Sequence, residues 1–155
     1  MINELMASNH TTLEDPAEPG EFPDWIEIYN DNDFPVDIGG LYLTDSLANP
    51  AMYRIPTCKA DSTTIPAKGH VILWADNQEE QGVRHLGFKL DADGEEIGLV
   101  APDGREFIDS LSYTDLSSGL SMGRFPDGAS FLRILTSTPG SENRMRPSGN
   151  LQLSE

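Results

Sequence analysis

The sequence predicts an all-β protein built from antiparallel strands. Its 11 prolines and 14 glycines fall between short apolar runs at intervals of roughly 8–12 residues, the spacing of sandwiches and barrels. Three Asp-Gly turns, "DADGE" (91–95), "APDGR" (101–105) and "FPDGA" (125–129), lie within about 40 residues and mark an antiparallel meander. No segment keeps a 3.6-residue apolar period for three turns, so no helix is expected.

The expected strands run in order. "INELMA" (2–7) opens the chain. In "WIEIYN" (25–30), Ile26 and Ile28 point one way, and Trp25, Glu27 and Tyr29 the other. "LYLT" (41–44) and "MYRI" (52–55) are short apolar runs with aromatic members. "HVILWA" (70–75) is apolar on both faces and reads as a central buried strand. "GFKL" (87–90), "EIGLVA" (96–101) and "EFIDSLSY" (106–113) are joined by the first two Asp-Gly turns, where glycine supplies the positive φ of a hairpin. "SMGRF" (121–125) and "SFLRI" (130–134) flank the third, in which Pro126 presets φ. Between the first two strands, "LEDPAEPGEFPD" (13–24) is acidic and proline-rich, an exposed loop. Residues 1–143 form one domain, and 144–155, which lack a strand pattern, read as a linker or flexible tail.

At 155 residues the chain has a one-domain length and can hide roughly 70% of its unfolded surface, so disulfides are not required. Cys58 is alone, which excludes an internal disulfide and a cysteine-based zinc site. The formal charge of −16 repels phosphate backbones and anionic membranes, so no nucleic-acid partner is expected. No run of about 18 apolar residues is present for membrane insertion. The strand-like sequence begins directly after Met1, which suggests a domain cut from a longer chain whose targeting signal lay upstream.

Motifs for chemistry are weak. "GLSMG" (119–123) fits Gly-x-Ser-x-Gly, but Pro126 and a turn follow where a nucleophile elbow needs a helix, so Ser121 is not expected to be catalytic. His10, His70 and His85 share no metal-ligand spacing and read as loop or strand-edge residues. "DNDFPVD" (31–37) and "DADGEE" (91–96) are fragments of calcium loops that neither completes. The density of carboxylates keeps one alternative, calcium at some combination of Asp15, Glu18, Asp24 and Asp31 in an adhesion module. A small hydrolase is a further alternative, because carboxylates abundant enough for a catalytic pair are present. No other cofactor is expected. Glu27, on the aromatic face of its strand, needs a partner, and Arg54 or Arg124 on a neighbouring strand could supply it.

Five segments in order resemble the lamin tail domain, bacterial branch. They are "DWIEIYN" with "DIGGLYLTD", then "YRIPTCKADSTTIPAKGHVILWAD" (53–76), "FKLDADGEEIGLVAPDGREFIDSLSY" (88–113), "SMGRFPDG" (121–128) and "TSTPGSEN" (136–143). The resemblance covers about residues 1–143, with Gly69 and Trp74 at the family's positions. It implies an immunoglobulin-like antiparallel β-sandwich with no catalytic residues. It further implies an accessory module of a larger exported protein, CotH-like proteins among them, that binds a protein, a cell-surface component or its own neighbouring domains. An extracellular or cell-surface location follows from the same likeness. Trp25, Tyr42 and Tyr53 are the candidate binding surface, with Phe88 and Phe125 as further aromatic candidates.

Overall fold

The computed structural model describes residues 1–9, 12–91, 94–114, 120–129 and 132–145. One sheet has six strands: β1 (Ile2–Met6), β2 (Asp24–Tyr29), β7 (His70–Ala75), β10 (Ser121–Arg124), β11 (Leu132–Thr136) and β12 (Arg144–Met145), in the order β12-β11-β10-β1-β2-β7. A second has four: β4 (Tyr42–Thr44), β5 (Tyr53–Arg54), β8 (Gly94–Val100) and β9 (Phe107–Thr114), in the order β5-β4-β8-β9. The short strands β3 (Val36–Asp37) and β6 (Thr64–Ile65) pair separately. All these ladders are antiparallel.

Strand alternation builds the sandwich. Ile2, Leu5, Ile26, Ile28, Val71 and Leu73 face inward from the six-stranded sheet. They meet Leu43, Ile97, Leu99, Leu111 and Tyr113 from the four-stranded sheet in one core. Burying an aliphatic side chain of this size contributes about 1.5–3 kcal/mol, so this face carries most of the stability. On the far side of β2, Trp25 packs with Met6 and Trp74, and Glu27 lies further along the same face.

Nine of the ten expected strands are present. The tenth, "GFKL", makes only a single bridge, between Lys89 and Asp76. The residues just before it cover the outer edge of β7, where Trp74 donates to the Arg84 carbonyl and Leu86 to the Trp74 carbonyl, both at 2.7 Å. β7 is therefore the last named strand of its sheet rather than a central one; it is apolar on both faces because loops cover its second face. A one-turn helix, α1 (Ala60–Thr63), and a 3-10 turn at Glu79–Gln81 are also present; neither is long enough to show a period in sequence. The turns at Gly104 (φ 72°) and Gly128 (φ 75°) close hairpins as expected. The turn at Gly94 leads into β8 from an irregular segment. β12 carries ordered structure two residues past the expected domain end at 143, and residues 146–155 lie outside the described set.

The loop expected to be exposed at 13–24 is half correct. Glu14, Pro16 and Ala17 are exposed, but Leu13 packs on the Met6–Trp25–Trp74 cluster and Asp15 is completely buried. One glycine is required by close approach. Gly123 on β10 sits opposite Glu4 on β1. A Cβ there would collide with the Asn3 carbonyl and lie 2.7 Å from Leu135 Cδ1. Gly123→Ala is expected to cost about 3 kcal/mol in urea denaturation, the upper range for overpacking against backbone.

Candidate functional site

Three features stand out from the ordinary core. The first begins with a β-bulge. Ile2 pairs with Ile28 and Glu4 with Glu27, so Asn3 is the extra residue on β1. The bulge brings the Asn3, Glu4 and Glu27 side chains together on the outer face of the sheet, and all three have zero exposure. Residues 137–143 close over them. Glu27 accepts from Asn3 Nδ2 at 3.0 Å and from the Gly140 N–H at 2.7 Å. Glu4 accepts from the Ser121 hydroxyl at 2.6 Å and the Thr138 N–H at 3.0 Å. Asp127 accepts from Asn3 Nδ2 at 3.2 Å and the Asn143 N–H at 2.8 Å, and its other oxygen meets His70 Nε2 at 2.8 Å.

This network corrects the expected arginine partner for Glu27. Arg54 is exposed, and Arg124 is committed to Asp109 at 2.7 and 2.9 Å and to the Ile2 carbonyl at 2.8 Å. With no cation beside it among the described residues, burial pushes the Glu27 carboxyl up to about 8; the bonds from Asn3 and Gly140 oppose the rise, and the charges of Glu4 and Asp127 add to it. Burial raises Glu4 as well, against the bonds from Ser121 and Thr138. Ser121 thus donates to the Glu4 carboxylate and is fully buried, so its hydroxyl is closed off from solvent.

The second feature lies at the other end of β2. Asp76 follows β7 directly, His85 sits in the segment laid against the β7 edge, and Asp15 descends from the 13–24 loop. Their exposures are 6%, 5% and 0%. His85 Nδ1 is 2.7 Å from Asp76 Oδ2 and 4.0 Å from Asp15 Oδ2. Each aspartate spends its other oxygen on a local backbone N–H: Asp15 Oδ1 accepts from Ala17 at 2.8 Å, and Asp76 Oδ1 from Gln78 at 3.0 Å. The remaining oxygens are thereby turned toward the imidazole. Asp15 Oδ2 is buried with no hydrogen-bond partner. Among the described residues this is the one group of three metal-ligand side chains with ligand atoms within 4.8 Å of one another. Asp76 also lines a polar cleft of about 490 Å³ with Glu18, Glu21, Asp24 and Lys89.

The third feature is apolar. Among the described residues, Phe34, Phe107 and Ile108 are the exposed large hydrophobic side chains, at 59%, 39% and 51%. Ile108 lines a groove of about 410 Å³ between the sheets, with Tyr29, Val36, Leu41 and Ile65. Phe34 stands in the turn that leads to Val36, and Phe107 lies over Gly98 of β8. Among the described residues, β9, which carries Phe107 and Ile108, ends its sheet and pairs with β8 alone.

The residues named from sequence fall unevenly on these features. Trp25 is fully buried, because its strand face is covered by the 13–24 loop, so it offers no binding surface. Phe88 is buried too. Tyr42, Tyr53 and Phe125 are half-buried, and the Tyr53 hydroxyl donates to the His85 carbonyl at 3.2 Å. Of the four carboxylates considered for calcium, Glu18 and Asp24 line the cleft and Asp15 joins His85; Asp31 is at the opposite end, 3.0 Å from Lys68. His85 is no mere loop residue, and His70 is bound to Asp127; His10 lies outside the described residues. Sequence spacing misses the pairing of Asp76 with His85 because they are nine residues apart and the third member comes from another loop. No spacing motif records such a meeting.

The family model described as Lamin Tail Domain matches residues 1–115. None of the curated proteins matches the chain, and no solved structure does.

Proposed function

The chain belongs to the Lamin Tail Domain family, and from that premise we propose that it is a non-catalytic interaction module that docks a protein partner at the open end of its sandwich. One observation carries the reading. Ile108, an exposed large apolar side chain, lines a groove that opens between the sheets at β9, the end strand of its sheet among the described residues, and Phe34 stands in the turn that leads to the groove residue Val36. An exposed apolar side chain at the mouth of a groove lined by further apolar groups is a usual signature of a binding face. An end strand unpaired on one side among the described residues adds backbone donors and acceptors for an incoming extended segment. The charge of −16 favours a partner with a basic rim and disfavours nucleic acid. We place the module within a larger exported protein, and the partner on the cell surface or in a neighbouring domain of the same chain.

A photo-crosslinking residue at position 108, expressed in the source cells, tests this. The expected outcome is a discrete adduct from position 108, weakened by Phe34→Asp, and none from the exposed control position Glu80. An immunoblot of the same fractions reports the native mass and compartment. Equal labelling at both positions, or none at 108, would overturn the docking face.

A further inference from the structure

We propose that Asp15, Asp76 and His85 form a binding site for a divalent transition cation of the zinc class, remote from the apolar docking end. Two observations carry it independently. Three ligand-type side chains from three separate segments converge within 4.8 Å while almost fully buried. One of them, Asp15 Oδ2, is completely enclosed, has no hydrogen-bond partner and faces the imidazole at 4.0 Å. A buried carboxylate oxygen without a donor is costly, and a cation is the group that relieves it.

The geometry suits one ion. Zinc sits about 2.0–2.2 Å from imidazole nitrogen and carboxylate oxygen, so two ligands of one tetrahedral ion lie about 3.4 Å apart. The 2.7 Å contact between His85 and Asp76 then opens by about 0.7 Å as the ion replaces the shared proton, and the 4.0 Å separation of His85 from Asp15 closes by about as much. Two carboxylates and a neutral imidazole balance a divalent charge inside the fold. The far oxygens are already held by the Ala17 and Gln78 N–H groups, which orient the ligands before any ion arrives. The acidic cleft beside Asp76 supplies an entry path, and a water from it can complete a tetrahedron.

Ligand chemistry selects the class of metal. Calcium takes six to eight oxygen ligands, whereas an imidazole nitrogen with two carboxylates suits zinc and its neighbours. The calcium set expected from sequence shares Asp15 with this site but not its coordination chemistry.

The test uses the full chain after chelator treatment, titrated with zinc chloride by calorimetry and by melting, with calcium chloride run in parallel. The expected result is one zinc per chain, a raised melting temperature, and a change in tryptophan fluorescence, because Trp74 pairs with His85. Asp15→Asn and His85→Gln should each weaken zinc binding by roughly 100-fold or more. Should either variant fail to fold, cobalt on the unaltered chain decides: visible d–d bands of a four-coordinate ion support the site, and an octahedral spectrum overturns it. Absence of one-to-one zinc binding, binding that survives Asp15→Asn, or a preference for calcium would each overturn the proposal.

Discussion

A chain ending at residue 115 is expected not to fold, although the family match ends there. The six-stranded sheet shows why. Three of its strands, β10, β11 and β12, come from residues beyond that point, and β10 pairs directly with β1. Removing them bares one edge of β1 and uncovers Asn3, Glu4 and Glu27 at once. Glu4 would lose both Ser121 and Thr138, and Glu27 would lose the Gly140 N–H. Asn143, which donates to the carbonyls of Asn3 at 3.0 Å and Arg124 at 2.7 Å, would be gone as well. Each lost hydrogen bond costs about 0.5–1.5 kcal/mol net, the core loses the cover of Leu135 as well, and a domain has only about 5–15 kcal/mol in hand. Amide proton spectra of 1–115 and 1–145 should therefore separate cleanly, dispersed for the longer chain and collapsed for the shorter. A dispersed spectrum from 1–115 would show that the closing strands are an accessory layer.

The strands are legible in the sequence where apolar alternation and turn chemistry agree. β2 shows this best, with Ile26 and Ile28 in the core and Trp25, Glu27 and Tyr29 opposite, as period two requires. Position within the sheet is not legible. β7 reads as central because both of its faces are apolar, yet one face is covered by a loop and its edge by residues 84–89. Local pattern reports that a face is buried and says nothing of what buries it. The same limit explains Trp25, an aromatic that suggests a surface until the 13–24 loop is seen to lie over it.

The two polar clusters are illegible for a different reason. A bulge at Asn3 shifts register by one residue, and sequence carries no mark of it. Asp15, Asp76 and His85 meet only because a loop, a strand end and an edge-covering segment converge in space. Both clusters sit on the outer face of the six-stranded sheet, at opposite ends of β2, each under a loop. The module thus divides its labour: the inner face supplies the core, and the outer face holds buried polar groups whose partners come from far along the chain.

Stability is expected to fall as the pH rises from about 4.5 to about 8, and Glu27 is the reason. In the unfolded chain its carboxyl ionises near 4.5; in the fold, burial holds the proton until about 8. Across that window the native state keeps a proton that the unfolded state has lost, so each step up in pH favours unfolding. Below 4.5 both states are protonated and this contribution is fully present; above 8 both are ionised and it is gone. Glu4, raised by the same burial, acts in the same direction. Pairing with arginine, as expected from sequence, would have depressed the carboxyl and reversed the sign. The loss from pH 5 to pH 8 should be on the order of a few kcal/mol, because each pH unit over which only the native state holds the proton costs about 1.4 kcal/mol. Glu27→Gln isolates the effect, because the amide stays neutral throughout. At pH 5 the variant should be less stable by about 1–2 kcal/mol, since its amide N–H must face either Asn3 Nδ2 or the Gly140 N–H. By pH 8 the gap should close or invert. Urea denaturation of both proteins at the two pH values gives crossing or converging lines on this account. Parallel lines would mean that Glu27 is ionised in the fold at every pH, with the 137–143 segment neutralising it through its backbone donors alone.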